Sequence, residues 1–248
     1  MDARRNSPVR ICVVMPAYNN AGTVEDVSRR ILRQTSHLIA IDDGSTDATH
    51  EILSRMGMTL ITHEHNKGKG AALKTGFMAA AERGYTHVIT IDSDGQHFPE
   101  DLPRFFDAVE QHPESIITGC RDLCAGNMPK GNRFANNFSN FWFRIQTGIR
   151  LDDTQTGYRA YPLAHTKGIR IMTSRYESEL ELLVLSAWNS TPIVQIPVNV
   201  HYPPADERVT HFRPVADFVR ISILNTFLCM AAILYGLPAR AITGLIHR

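Results

Sequence analysis

The feature that most limits how this chain can fold is an alternation that runs through its first half. Short apolar runs at residues 9–15, 38–41, 58–62, 87–91 and 115–118 are each bounded by turn residues and separated by stretches with helical spacing. The runs are apolar at nearly every position rather than at every second one. That is the pattern of strands covered on both faces. The helical patterns between them cover residues 23–34, 46–56, 69–83 (closed by Gly84) and 99–111. Strands alternating with helices predict an α/β fold: a mostly parallel sheet with helices on both faces.

The second half is less regular. Residues 130–147 hold Phe134, Phe138, Phe141, Trp142 and Phe143 and read as a helix or helix pair. A short strand is expected at 158–161, a helix at 177–188 and a strand at 193–200, where Pro197 lacks an N–H and points to a sheet edge. From Pro214 the chain is apolar and helical, with no charged residue between Arg220 and Arg240. That uncharged run matches the shortest spanning helices, but Ser222, Asn225, Thr226, Gly236 and Pro238 make it a weak spanning candidate. Arg213 and Arg220 before it, and Arg240 and Arg248 after it, suit a helix lying in a membrane surface. Packing on the core or on a partner subunit is the alternative. The expected division is a catalytic domain at 1–213 and a membrane-associating segment at 214–248.

Composition removes several function classes. Lysine plus arginine is 26 against 25 aspartate plus glutamate, a net charge of +1, which gives no support for non-specific nucleic-acid binding. A chain 43% hydrophobic and 21% charged is not disordered, and four cysteines do not make a disulfide scaffold. Cys120 and Cys124 lack a second pair or a suitably spaced histidine for zinc, so buried free thiols in a reducing compartment are expected. The opening MDARRNSPVR has no apolar stretch of the kind a secretory signal needs.

Open α/β sheets bind ligands beyond the carboxyl ends of their strands. Three polar clusters follow predicted strands: 16–20 (PAYNN), 42–47 (DDGSTD) and 92–96 (DSDGQ). Parallel strands would bring all three to one edge. Asp92 and Asp94, two residues apart past a buried strand, can face one Mg²⁺ or Mn²⁺ shared with substrate phosphates; capping the next helix is the plainer reading. In the Asp42–Asp43 pair, a helix cap uses one carboxylate and leaves the other for a nucleobase N–H or ribose hydroxyl. Residues 66–72 (NKGKGAA) fit neither a Walker A loop nor a dinucleotide fingerprint, since Leu73 takes the third glycine position. A basic, glycine-rich helix start suits an anion, with Lys69 as the candidate contact. His63, His65 and His97 lack metal-site spacing and read as surface or loop residues. The run VITIDSDG resembles the nucleophile loop of haloacid-dehalogenase-type phosphatases, but Gln96 departs from that pattern and the other clusters would stand idle.

Together, PAYNNAGTV, IDDGSTDAT, HNKGKGAALKTGF and TIDSDGQ resemble the family 2 glycosyltransferases of GT-A fold, from about Val9 to Val200. The segment DTQTGYR at 153–159 is similar to the DTQCGFK-type segment of the dolichyl- and polyprenyl-phosphate sugar transferases, glucosyl or mannosyl branch. The resemblance implies an inverting transfer from a UDP- or GDP-linked hexose to a membrane lipid, polyprenyl phosphate first, at the cytoplasmic face of the membrane. It implies that Pro16, Tyr18, Asn20 and Asp42 hold base and ribose, and that Lys69, Asp92, Gln96 and Arg121 position the nucleotide sugar. Asp94, with Asp92, would hold Mg²⁺ or Mn²⁺ on the diphosphate. Asp153 would act near the acceptor as base or orienter, and Arg133, Arg159 and Arg208 would reach the acceptor or its phosphate. A phosphate acceptor is already ionised, whereas a hydroxyl acceptor such as a glycolipid headgroup would need Asp153 to take its proton. A catalytically silent scaffold of the same fold is a more remote alternative. Two departures stand out: Asn20 occupies a position where many relatives have glutamate, and Thr210–His211 falls where relatives carry Ser-Lys, with Arg208 as a substitute basic group.

Overall fold

The computed structural model describes residues 8–122, 130–169, 171–201, 214–236 and 238. Seven strands make one sheet: β1 (Ile11–Ala17), β2 (Leu38–Asp42), β3 (Thr59–Thr62), β4 (His87–Thr90), β5 (Ile116–Arg121), β6 (Arg159–Pro162) and β7 (Ile193–Val198). The helices are α1 (Val24–Gln34), α2 (Thr49–Ser54), α3 (Lys69–Glu82), α4 (Leu102–Gln111, after a 3₁₀ turn at Pro99–Asp101), α5 (Lys130–Thr147), α6 (Leu163–Thr166), α7 (Glu177–Trp188) and α8 (Pro214–Ala231). A π-helical turn, Ala232–Gly236, continues α8.

The strand order is β3-β2-β1-β4-β6-β5-β7. Every neighbouring pair is parallel except those of β6, which runs antiparallel to both β4 and β5. The order reverses beside β1, and that switch point opens a crevice at the carboxyl ends of β1 and β4. The reversed direction of β6 matters for the site. It puts the residues leading into β6, not those leaving it, at the same edge, with Arg159 level with Thr90 and Thr118. β7 lies at the end of the sheet, as Pro197 suggests.

Both faces of the sheet are covered, which is why the strands read as unbroken apolar runs. Val13, Met15 and Ala17 of β1 join Val27 and Ile31 of α1, Leu53 of α2 and Phe105 of α4 in one cluster. Cys12 and Val14 point the other way, to Ala72, Leu73 and Ala80 of α3. Under the second half, Phe143 of α5 packs with Leu183 and Trp188 of α7 and with Leu224 and Leu228 of α8. The described cysteines, Cys12, Cys120 and Cys229, are free thiols.

The C-terminal helix therefore packs on the body of the protein by one face, fixed by a hydrogen bond of 2.9 Å from Gln146 Nε2 to Asn225 Oδ1. Its other face leaves Val219, Ile223, Phe227 and Met230 exposed, and Ile233 and Leu234 follow in the π-helical turn. Among the described residues no helix is long and apolar enough to cross a membrane. Arg208, Arg213, Arg240 and Arg248 lie outside the described residues.

Candidate functional site

The loops after β1, β2 and β4 meet at the switch point, and Asn20 ties them together. Its N–H donates to Thr49 Oγ1 at 2.8 Å, and its Oδ1 accepts the Tyr18 N–H at 3.3 Å. The Ser93 hydroxyl lies 3.0 Å from both Asn20 Oδ1 and the Pro16 carbonyl oxygen. At 6% exposure, Asn20 braces the edge from within. Tyr18 is half-buried beside it.

The two aspartates after β2 do different things. Asp42 Oδ1 accepts the Ser45 N–H at 3.0 Å, and its Oδ2 lies 3.0 Å from His50 Nδ1, a ring half open to solvent. Asp43 turns to the glycine-rich loop: its Oδ1 accepts the Lys67 N–H at 2.9 Å and its Oδ2 the Gly68 N–H at 2.8 Å. His63 Nδ1 lies 2.6 Å from Asp43 Oδ1 and its Nε2 lies 2.9 Å from Thr75 Oγ1. The carboxylate that capping left over is thus taken up by the fold. His63, expected at the surface, is buried within that network.

The start of α3 also differs from expectation. The N–H groups of Gly70 and Ala71 donate to the Ser174 carbonyl at 2.8 and 3.3 Å. A Cβ on Gly70 would stand 2.2 Å from Ser178 Oγ. The glycines admit the chain that leads into α7, and the helix start is closed to an anion. Lys69 itself points into a buried cluster, with Nζ 2.7 Å from Asp92 Oδ1 and 2.8 Å from Glu179 Oε2. Burial works to lower the lysine's pKa, but the charges of Asp92 and Glu179 hold it above its usual range. Burial likewise works to raise Asp92, and the Lys69 ammonium holds it below the usual carboxylate range. Gly157 makes room for the cluster: a Cβ there would fall 2.8 Å from Asp92 Oδ2 and 2.9 Å from Lys69 Nζ.

Asp94 is in the opposite position. Its Oδ1 accepts the Gln96 N–H at 3.0 Å, and it is in no salt bridge among the described residues. Burial and the neighbouring Asp92 charge push its carboxyl up to about 6. This is an under-compensated carboxylate that a cation would relieve. No group of three or more metal-ligating side chains forms a cage among the described residues. One carboxylate completed by substrate oxygens is how Mg²⁺ is commonly held, so the residues present fit a divalent ion bound together with a diphosphate. His97, also expected at the surface, is buried with its ring 5.3 Å from that of Tyr158, and burial pushes its pKa down to about 4, which keeps it neutral.

Across the crevice, Asp153 is fully buried and holds Arg121 bidentately, Oδ2 to Nε at 2.6 Å and Oδ1 to Nη2 at 2.9 Å. Its oxygens also accept the N–H groups of Arg121 at 3.2 Å and Gln155 at 3.0 Å. Of the two roles expected for Asp153, this geometry fits the orienter. The loop carrying it is clamped to α5: Asn140 Nδ2 donates to the Asp152 carbonyl at 2.6 Å, and Thr154 Oγ1 lies 2.8 Å from Ser139 Oγ. Arg133 stands exposed near the start of α5. Arg159 corrects an expectation. Its guanidinium is buried and donates to the Thr154 carbonyl at 2.8 Å, the Glu179 carbonyl at 2.8 Å and Tyr161 Oη at 3.2 Å, so it supports the site from beneath and does not reach an acceptor.

Sequence reasoning missed Glu179 altogether. A signal was present: α7 is apolar on all sides yet carries Glu177, Glu179 and Glu181, all buried. Charges on a helix without a polar face must find partners inside.

Comparison with known proteins shows the family and the fold. The family "Glycosyl transferase family 2" matches residues 12–169. A UDP-N-acetylglucosamine--dolichyl-phosphate N-acetylglucosaminyltransferase of Methanococcus voltae is 27% identical, covering 77% of this chain and 86% of that one. A polyprenol monophosphomannose synthase of Mycolicibacterium smegmatis is 28% identical, covering 76% of each. Among solved structures, glucosyl-3-phosphoglycerate synthase from Mycobacterium tuberculosis, in complex with Mn²⁺, UDP and glucosyl-3-phosphoglycerate, superposes with a TM-score of 0.66 at 22% identity, over 91% of this chain and 79% of that one. That likeness establishes the fold.

Proposed function

This chain belongs to glycosyl transferase family 2, and from that premise we propose that it transfers a hexose from a UDP- or GDP-linked donor to the phosphate of a polyprenyl lipid, with inversion at the anomeric carbon. The observation that carries the reading is that an under-compensated carboxylate, Asp94, and an arginine held bidentately by a buried aspartate, Arg121 on Asp153, stand at or just past the carboxyl ends of parallel strands at one edge of the sheet. Bidentate support from a buried carboxylate fixes the orientation of the guanidinium. The names of these two relatives share a dolichyl or polyprenol phosphate and differ in the sugar.

In this reading Asp94 holds Mg²⁺ or Mn²⁺ with the donor diphosphate, and Asp92, braced by Lys69, faces the nucleotide. The bound ion would stabilise the departing nucleoside diphosphate as a Lewis acid. We assign Asp42, buried behind His50, to the nucleoside side of the site, together with Pro16, Tyr18 and Gln96. The chain's own residues bind and orient, and no proton needs to be taken from the acceptor, because a phosphate arrives ionised. An Asp153 already engaged through both oxygens suits that role better than it suits a general base.

A lipid acceptor calls for a membrane surface, and we read the exposed faces of α5 and α8 as that contact. Phe134, Phe141 and Ile145 stand outward on α5, with Ile223, Phe227 and Met230 on α8. Apolar faces of this kind support peripheral docking, which we assign to the cytoplasmic side. The test is a panel of UDP- and GDP-hexoses, followed by nucleotide release with and without polyprenyl phosphate, in Mg²⁺, Mn²⁺ and EDTA. Metal-dependent release from one donor, stimulated by polyprenyl phosphate, is expected. Release unaffected by EDTA or by polyprenyl phosphate would contradict the reading.

A further inference from the structure

We propose that Glu179, on α7 and outside every motif in the sequence, is a positioning residue of the donor site: it holds the Lys69 ammonium against Asp92 and so fixes the Asp92 carboxylate for the nucleotide sugar. This rests on the proposed function and adds a residue to it.

Lys69 begins α3, Asp92 follows β4 and Glu179 lies in the first turn of α7, so three separate elements converge on one nitrogen. A lysine on a flexible stem with one partner can swing; with two carboxylates at 2.7 and 2.8 Å it is held between them. The surroundings are built for the arrangement. The Glu179 carbonyl accepts Arg159, the Gly157 backbone comes in close enough that a Cβ would stand 3.2 Å from Glu179 Oε1, and Ser174 and Ser178 seat the start of α3 against α7.

A contrast within the same helix separates Glu179 from an ordinary buried glutamate. Glu181 is satisfied through both oxygens by the preceding loop: Oε1 accepts the Met172 N–H at 2.8 Å, and Oε2 accepts the Thr173 N–H at 2.9 Å and hydroxyl at 2.6 Å. Glu179 spends one oxygen on Lys69 and leaves Oε1 buried without a hydrogen-bond partner. Glu177, on the same helix, also leaves one oxygen, Oε2, buried without a hydrogen-bond partner, so what sets Glu179 apart is its ion pair with Lys69. The Glu179 charge stands beside Lys69 and also supports the buried Arg159 guanidinium.

The test is calorimetric titration of UDP and of GDP, each with Mn²⁺, into four full-length proteins: wild type, Glu179→Gln, Lys69→Met and the double variant. Glutamine keeps the shape and an acceptor for Lys69 while removing the charge. We expect Glu179→Gln to weaken nucleotide binding by about tenfold, the loss typical of removing an outer partner of a binding group. In the Lys69→Met background the same substitution should change affinity by less than about twofold, because its effect runs through the lysine. Thermal melts run alongside. An affinity unchanged by Glu179→Gln, or a loss of equal size in both backgrounds, would overturn the proposal and leave Glu179 a structural residue. Should Glu179→Gln fail to fold, Glu179→Asp replaces it. It keeps the charge but draws it back from Lys69, and wild-type affinity in that variant would overturn the proposal equally. Wild type binding neither nucleotide would instead overturn the proposed function itself.

Discussion

Two halves of the sheet edge handle charge in opposite ways. On the β1–β2–β4 side the carboxylates are matched internally: Asp42 by Ser45 and His50, Asp43 by the glycine-rich loop and His63, Asp92 by Lys69. Asp94 is left high, at about 6. On the β5–β6 side an arginine is locked by a buried aspartate, and the neighbouring helices α5 and α8 turn aromatic and aliphatic side chains outward. The first half is organised around itself, with one carboxylate left over for a cation. The second sets a fixed arginine beside exposed apolar faces. That difference fits a small, multiply charged donor on one side and an amphiphilic acceptor on the other.

The largest effect is expected where the first half is incomplete. Asp94→Asn should cut transfer by at least about a hundredfold, since leaving-group stabilisation is worth several kcal/mol, with the melting temperature preserved. Steady-state nucleotide release measures it, and near wild-type turnover would remove Asp94 from the metal role.

The second half can be broken at its ion pair. Arg121→Ala leaves Asp153 buried with two backbone N–H partners but no countercharge, which should cost about 3 kcal/mol in a denaturant melt. The double variant Arg121→Met with Asp153→Leu should recover much of that stability but no transfer. Recovery of both would show the pair to be structural only.

An effect of about 3 kcal/mol is expected from acid, with opposite signs at two residues. Asp94 titrates near 6 when folded, against 3.8 for an unperturbed aspartate. The folded protein binds the extra proton, so this group adds stability as pH falls through that window. His97 titrates near 4 when folded, against 6.5 for an unperturbed histidine. The unfolded chain binds the extra proton, so this group loses stability as pH falls from 6.5 to 4. The two nearly cancel in wild type. In EDTA, Asp94→Asn should lose stability relative to wild type on acidification, whereas His97→Gln should gain. Parallel pH profiles for all three proteins would contradict these assignments.

The smallest effect on stability is expected at the outward face of α8. Ile223→Glu with Phe227→Glu should change unfolding free energy by less than about 0.5 kcal/mol per site, yet release the protein from anionic liposomes in flotation. Unchanged flotation would assign that face to something other than lipid.

The contrast between the halves also governs how much could be read beforehand. The parallel strands from β1 to β5 announced themselves as apolar runs with a helix between each, and Pro197 marked β7 as an edge. The reversal of β6 was not legible, because a strand's direction depends on its neighbours and not on its own four residues. A motif at a strand end named Asp92 and Asp94 and a glycine-rich helix start named Lys69, but what each touches depends on chain far away: Ser174 closes the start of α3, and Glu179 reaches Lys69 from a helix whose pattern looks merely apolar. Arg159 misled because a guanidinium in a motif reads as a ligand contact, whereas here it ties two carbonyls beneath the site.

The proposed mechanism turns on an acceptor that arrives already ionised, because Asp153 is committed to Arg121 and not free to act as a base. Transfer to a polyprenyl phosphate and to the polyprenol of the same chain length, presented in the same vesicles with the same donor and Mn²⁺, tests it directly. Glycosylated product is expected from the phosphate and none above background from the alcohol. Comparable product from the alcohol would contradict it.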